Sequence, residues 1–132
     1  MIYLDHNATT PLDPQVLEAM MPYLTMHFGN PSSDHAAGRH AAEAVRKSRQ
    51  RIADLFGCDR REVIFTSGGS EANTLAFQGT LTSGQFEGKH IVIGGAEHPS
   101  VTAAAMAMKD HGYEVTLAPI TEFGEVTAKA IE

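Results

Sequence analysis

The spacing of apolar positions changes along this chain, and each change marks an element. Val16, Leu17, Met20, Met21 and Leu24 recur at the spacing of one helix face. Asp13 is a good cap and Pro14 suits a first helical position, so a helix is predicted from Pro14 to about Met26, with an irregularity at Pro22. Before it, Ile2 to Leu4 is a short extended run, and Asp5 to Asp13 is rich in turn formers. After it, Phe28-Gly-Asn-Pro-Ser-Ser33 reads as a loop, and Ser32, Ser33 or Asp34 could cap the next helix. Ala37, Ala41, Ala44, Val45, Ser48, Ile52 and Leu55 draw a second stripe of period near 3.6, which predicts the longest helix, ending at about Phe56 before Gly57.

Beyond residue 61 the period shortens. Glu62–Thr66 reads as a buried strand, Ser67–Ser70 as a tight turn and Glu71–Leu81 as a helix. Gly84–Gly88 is a loop, followed by a strand at His90–Ile93 that ends at Gly94-Gly95. A helix rich in Ala and Met spans Pro99–His111, and a third strand spans Tyr113–Ile120. A turn at Thr121–Gly124 leads to another helix beginning at Thr127. This alternation predicts an α/β architecture with neighbouring parallel strands. The last helix has scarcely begun at Glu132, which leads us to expect a portion of a larger or split protein.

Composition narrows the functional classes. Of 132 residues, 42% are hydrophobic and 20% charged, enough to build a core. The net charge of −6 predicts no nucleic-acid surface. Seven cations crowd between Arg39 and Arg61; they suit a solvated helix face or a docking patch for an acidic partner. The single cysteine, Cys58, allows no internal disulfide and reads as structural. No apolar run approaches the ~20 residues that cross a membrane, and no signal peptide is visible, so a cytoplasmic location is expected.

Two segments carry chemistry. In Phe65-Thr-Ser-Gly-Gly-Ser-Glu-Ala-Asn73 a strand, a glycine turn and a helix start follow one another. Unpaired N–H groups, the helix dipole, glycines and the Ser67 and Ser70 hydroxyls suit a phosphate cradle. A plain helix capped by Ser70 accounts for the same residues. The glycine spacing fits neither a P-loop nor a dinucleotide fingerprint. In Gly94-Gly-Ala-Glu-His-Pro-Ser100, His98 stands at the next strand end, where it could stack on a flat ring, relay a proton or simply cap a helix. Ligands gather at the carboxyl ends of such strands, which puts Ser67 and His98 beside one crevice. No His pairs with a carboxylate at metal-ligand spacing, so no metal site is expected.

Four segments in order resemble the N-terminal part of the cysteine desulfurases of the NifS/IscS type, within the class V, fold-type-I pyridoxal-phosphate enzymes. They are Tyr3-Leu-Asp-His-Asn-Ala-Thr-Thr-Pro11, Phe28–Ser33 with His35 and Gly38-Arg39, Ile64–Asn73, and Glu97-His98. The resemblance implies an α/β/α large domain with a mainly parallel sheet. Residues 1–30 would associate with the small domain, and 31–132 would open the large, cofactor-binding domain. By resemblance Gly69 and Ser70 hold the phosphate of pyridoxal 5'-phosphate, where the family often has Thr in place of Ser70. His98 stacks on the pyridine ring and assists proton transfer. Asn7 and Ala8 lie near the substrate entrance, and the Phe28–Ser33 loop lies near the active site.

The implied reaction takes L-cysteine to L-alanine with sulfur passed on as a protein persulfide, for iron-sulfur cluster or thio-cofactor supply. The Schiff-base lysine, the Asp facing the pyridine nitrogen, the substrate-binding Arg and the sulfur-accepting Cys have no counterparts here. The resemblance therefore implies a complementary chain carrying that lysine, a homo-oligomer, or both, and an acceptor protein for the sulfur. Other class V chemistry (selenocysteine or C–S lyase, aminotransferase) and a non-catalytic partner-binding module are the alternatives.

Overall fold

The computed structural model describes residues 1–132, which form two compact units, Met1–Ile64 and Phe65–Glu132. In the first unit, Asp5 closes a turn by accepting from the Ala8 N–H at 3.1 Å. Helix α1 spans Pro14–Thr25. Asp13 starts it as expected, its carboxylate accepting from the Gln15 N–H at 2.7 Å. Pro22 lies inside the helix and supplies no N–H, and its carbonyl accepts from both Met26 and His27 as the helix closes.

Helix α2 spans Ala36–Phe56 and ends, as its sequence predicts, at Gly57 with φ 67°. Its start differs from expectation. The cap is His35, whose Nδ1 accepts from the Gly38 N–H at 3.2 Å. Ser32 and Ser33 are drawn into a turn around Asn30 instead, and Asp34 pairs with Arg39 at 3.2 Å. Close packing at Gly38 explains this geometry: a Cβ there would lie 2.1 Å from the Ser33 carbonyl oxygen and 2.7 Å from that of Asn30. The loop thus rests directly on the first turn of α2. Gly38→Ala should destabilise the chain by about 1–3 kcal/mol through this overlap. Denaturant unfolding checks it; an unchanged midpoint would show that the loop can lift away at no cost.

The alanine stripe of α2 is half realised. Ala41 is buried and Ala44, Val45 and Ile52 are half-buried, whereas Leu55 is 81% exposed and the buried Ala53 lies off the predicted stripe. The basic residues of this stretch make exposed ion pairs, Arg46 with Glu43 at 2.6 Å and Arg61 with Asp59 at 2.9 Å. That is the solvated-face arrangement. The expected strand at Glu62–Thr66 does not form. Arg60–Glu62 is a 3-10 turn closed by a reciprocal Asp59–Glu62 capping box, and Val63 is extended but joins no ladder. A strand needs a neighbour for its backbone groups, and the two strands that do form pair with each other.

In the second unit, α3 (Gly69–Thr82), β1 (His90–Gly94), α4 (Pro99–Ala107) and β2 (Glu114–Ala118) follow in order. The β1 and β2 strands are parallel and in register from His90↔Glu114 to Gly94↔Ala118. The α/β class read from the sequence is therefore present, with a two-stranded sheet where three strands were expected. Ile91 and Ile93 turn into a core with Ala105 and Met108, flanked by Phe77, Leu81, Val101, Tyr113 and Val115. Helix α4 tightens into a 3-10 turn at Met108–His111 because Gly112, with φ 83°, ends it there. The helix expected from Thr127 is one 3-10 turn, Ala128–Ala130. No helix is long and apolar enough to cross a membrane.

Candidate active site

The site is built at the starts of α3 and α4. Gly68, not Ser70, is the N-cap of α3, and no side chain caps its first turn. The N–H groups of that turn face outward with the positive end of the dipole. A Cβ added to Gly68 or Gly69 would meet nothing within 4 Å, so the approach to this backbone is open. Ser70 sits inside the first turn with its hydroxyl available as a donor.

Ser67 is engaged differently from expectation. Its N–H and hydroxyl both donate to one oxygen of Glu71, at 2.6 and 2.7 Å. Ser67 is thereby withdrawn from the donors that could meet an anion. The Ser67 hydroxyl, then its N–H, hold the Glu71 carboxyl below the usual carboxylate range. A carboxyl depressed in the folded state contributes stability above its unfolded value and loses it as pH falls through its folded value. Acidification through the carboxylate range should therefore release Ser67 and loosen the entry to α3, and Glu71→Gln should abolish that transition. Hydrogen exchange at the Ser67 amide reads this directly; identical pH dependence in both proteins would contradict it.

At the second helix start His98 is the N-cap of α4, with Pro99 at the first position. Its Nδ1 accepts from the Ser100 N–H at 3.1 Å and lies 2.7 Å from the Ser100 hydroxyl. Asn73, one turn into α3, donates through Nδ2 to that same hydroxyl at 2.8 Å. Sequence reasoning missed this Asn73–Ser100 link. Ser70, His98 and Ser100 border one cavity of about 470 Å³, continued by Thr74 and Gln78 of α3 and by the alanines of α4. Three residues before His98 in the chain, the Gly95 N–H donates to the Ala118 carbonyl at 2.9 Å, which anchors the end of β1 to β2.

The structure thus brings Ser70 and His98 to one cavity, with Gly69 adjoining Ser70 in the chain. Asn7 and Ala8 are exposed in the turn after Asp5, within the Met1–Ile64 unit. Cys58 is half-buried just past the end of α2. No three His, Cys, Asp or Glu side chains gather as a metal-ligand group.

A parallel α/β unit with an open, uncapped helix start at α3 and a histidine at the start of α4 belongs to the class of α/β proteins with backbone donors suited to an anion. The comparisons make this specific: residues 2–132 match the family described as aminotransferase class-V, and the chain belongs to it. It is similar to a cysteine desulfurase of Nostoc sp., 42% identical over all of this chain and 33% of that protein. Among solved structures it resembles a NifS-like protein with a TM-score of 0.79 at 28% identity, over 90% of this chain and 33% of the other. It also resembles SspA, solved in complex with cysteine, with a TM-score of 0.78 at 35% identity, over 89% of this chain and 34% of the other. The chain spans about a third of the length of these relatives. Class V aminotransferases and cysteine desulfurases are pyridoxal-phosphate enzymes, and the open donors at Gly69 and Ser70 fit a phosphate.

Proposed function

We propose that this chain forms the phosphate-and-histidine part of a pyridoxal-phosphate-dependent cysteine desulfurase. Ser70 and His98 bordering one cavity is the observation that carries the reading. The Gly69 and Ser70 N–H groups and the Ser70 hydroxyl hold the phosphate by charge-assisted hydrogen bonds. His98 lies against the ring and moves a proton at its edge. When bound, the cofactor supplies the electron sink that labilises bonds at the substrate α-carbon.

Asn7 and Ala8 flank the substrate, L-cysteine, whose sulfur leaves to a cysteine thiol as a persulfide while the carbon skeleton becomes L-alanine. Residues 1–30 associate with the small domain and residues 31–132 begin the large one. The Schiff-base lysine and the sulfur-accepting cysteine come from the remainder of the enzyme, continued in the same polypeptide or carried by another chain. Large exposed apolar side chains, Phe28 at 82% and Phe123 at 80%, are consistent with further protein covering this part.

Two measurements test this. Intact masses of everything that copurifies with the chain, after borohydride reduction, should include a lysine-bearing species with a pyridoxyl adduct. That assembly should release L-alanine from L-cysteine. Within it, Ser70→Ala should weaken cofactor retention about 10- to 100-fold, as expected for one lost hydrogen bond to a charged group. An assembly that holds the cofactor but acts only on other amino acids would assign another class V reaction. A lone chain with no adduct would withdraw the activity.

A further inference from the structure

The Asn73–Ser100–His98 chain of hydrogen bonds has a direction. The Ser100 backbone N–H can only donate, so the His98 Nδ1 that faces it at 3.1 Å must present a lone pair. The Ser100 hydroxyl lies 2.7 Å from the same nitrogen. Asn73 Nδ2 donates to that hydroxyl at 2.8 Å and occupies one of its two lone pairs, and since Nδ1 already presents a lone pair to the Ser100 N–H, the hydroxyl meets it as a donor. Two donors thus converge on Nδ1, and the proton of the neutral imidazole is placed on Nε2.

We propose that Asn73 and Ser100 are positioning residues that hold neutral His98 in its Nε2–H tautomer, so that Nε2 is the ring nitrogen at which His98 presents its proton. The functional part deepens the reading of His98 given above: the neutral ring donates to an oxygen or anion beside it. Taking up a proton at Nδ1 breaks the bond from the Ser100 N–H. The proposal also gives Asn73 a task in the second turn of α3, so that the helix that starts at the phosphate donors also orients the histidine.

The test needs no cofactor. In the ¹⁵N-labelled 132-residue chain at neutral pH, long-range ¹H–¹⁵N imidazole correlations report which ring nitrogen carries the proton, with His98 assigned by its loss in His98→Asn. We expect a pyridine-like Nδ1 and a pyrrole-like Nε2, in a ratio of about tenfold or more, the bias that one hydrogen bond sets. Asn73→Asp places an acceptor-only carboxylate against Ser100. The hydroxyl proton then turns toward it and the oxygen lone pair turns toward Nδ1, so the tautomer ratio should fall several-fold, while the Ser100 N–H keeps it from inverting. Ser100→Ala should shift the ratio the same way, and Ser100→Thr should restore it.

A protonated Nδ1 in the unsubstituted chain overturns the proposal, whether or not any variant folds. So do folded Asn73→Asp and Ser100→Ala variants whose imidazole shifts match the parent. If the tautomer behaves as stated and pyridoxal phosphate does not bind, the relay stands and the functional reading falls. The reverse pattern separates the two the other way.

Discussion

In the enzyme that contains this chain, His98→Ala should lower the rate of L-alanine release from L-cysteine by about 10²–10⁴-fold, the range for a positioned proton-transfer group. The variant has a second effect that has to be separated from the first. His98 caps α4, and loss of a cap costs about 0.5–2 kcal/mol of stability. His98→Asn resolves the ambiguity. Asparagine is among the strongest caps and can accept from the Ser100 N–H, but it offers no imidazole. The two variants should lose activity alike while only the alanine variant loses stability. If His98→Asn retains near-parental turnover, the histidine serves the helix and not the reaction.

Met108→Ala should cost about 2–5 kcal/mol, the range for emptying a buried site of this size. Met108 is 1% exposed and is the one large side chain fully enclosed, among Ile91, Ile93 and Ala105. The core around it is small, so the surroundings have few other side chains with which to refill the space. Urea unfolding should show a lower midpoint at unchanged slope. Met108→Leu, which nearly conserves volume, should cost less than about 1.5 kcal/mol. A loss below about 1 kcal/mol for the alanine variant would mean that α4 does not pack on the sheet in solution as it does here.

What could be read from the sequence follows the range of the interactions involved. The starts of α1 and α4 depend on Asp13-Pro14 and His98-Pro99, and the end of α2 on Gly57. These are contacts within a few residues, and the residue types announce them. That Ser70 and His98 stand at helix starts was legible for the same reason, since each follows a strand-like run. Glu62–Thr66 misled because its apolar pattern suits a strand while strand formation depends on a neighbour that the pattern does not specify. The cap of α2 misled because Ser32, Ser33 and Asp34 all outrank His35 by type, yet the packing of the loop on Gly38 brings His35 to the helix end.

The links through Asn73 and Ser100 were out of reach for a different reason. They lie 27 residues apart and meet only because α3 and α4 pack side by side near their starts. Glu71 could have been anticipated: a Glu near a helix start with a Ser before it is a local pairing of the capping kind. Its consequence, that Ser67 is withdrawn while Gly69 and Ser70 stay open, depends on the folded helix entry.

The most direct test of the central claim is a pair of titrations followed by amide NMR on the ¹⁵N-labelled chain, one with pyridoxal 5'-phosphate and one with pyridoxal. If the start of α3 is the phosphate site and His98 the ring-facing residue, the phosphorylated compound shifts the Gly69, Ser70 and His98 signals. Pyridoxal leaves Gly69 and Ser70 unmoved, and Ser70→Ala weakens the response to the phosphate form. Equal responses to both compounds, or shifts confined to other residues, would contradict the account.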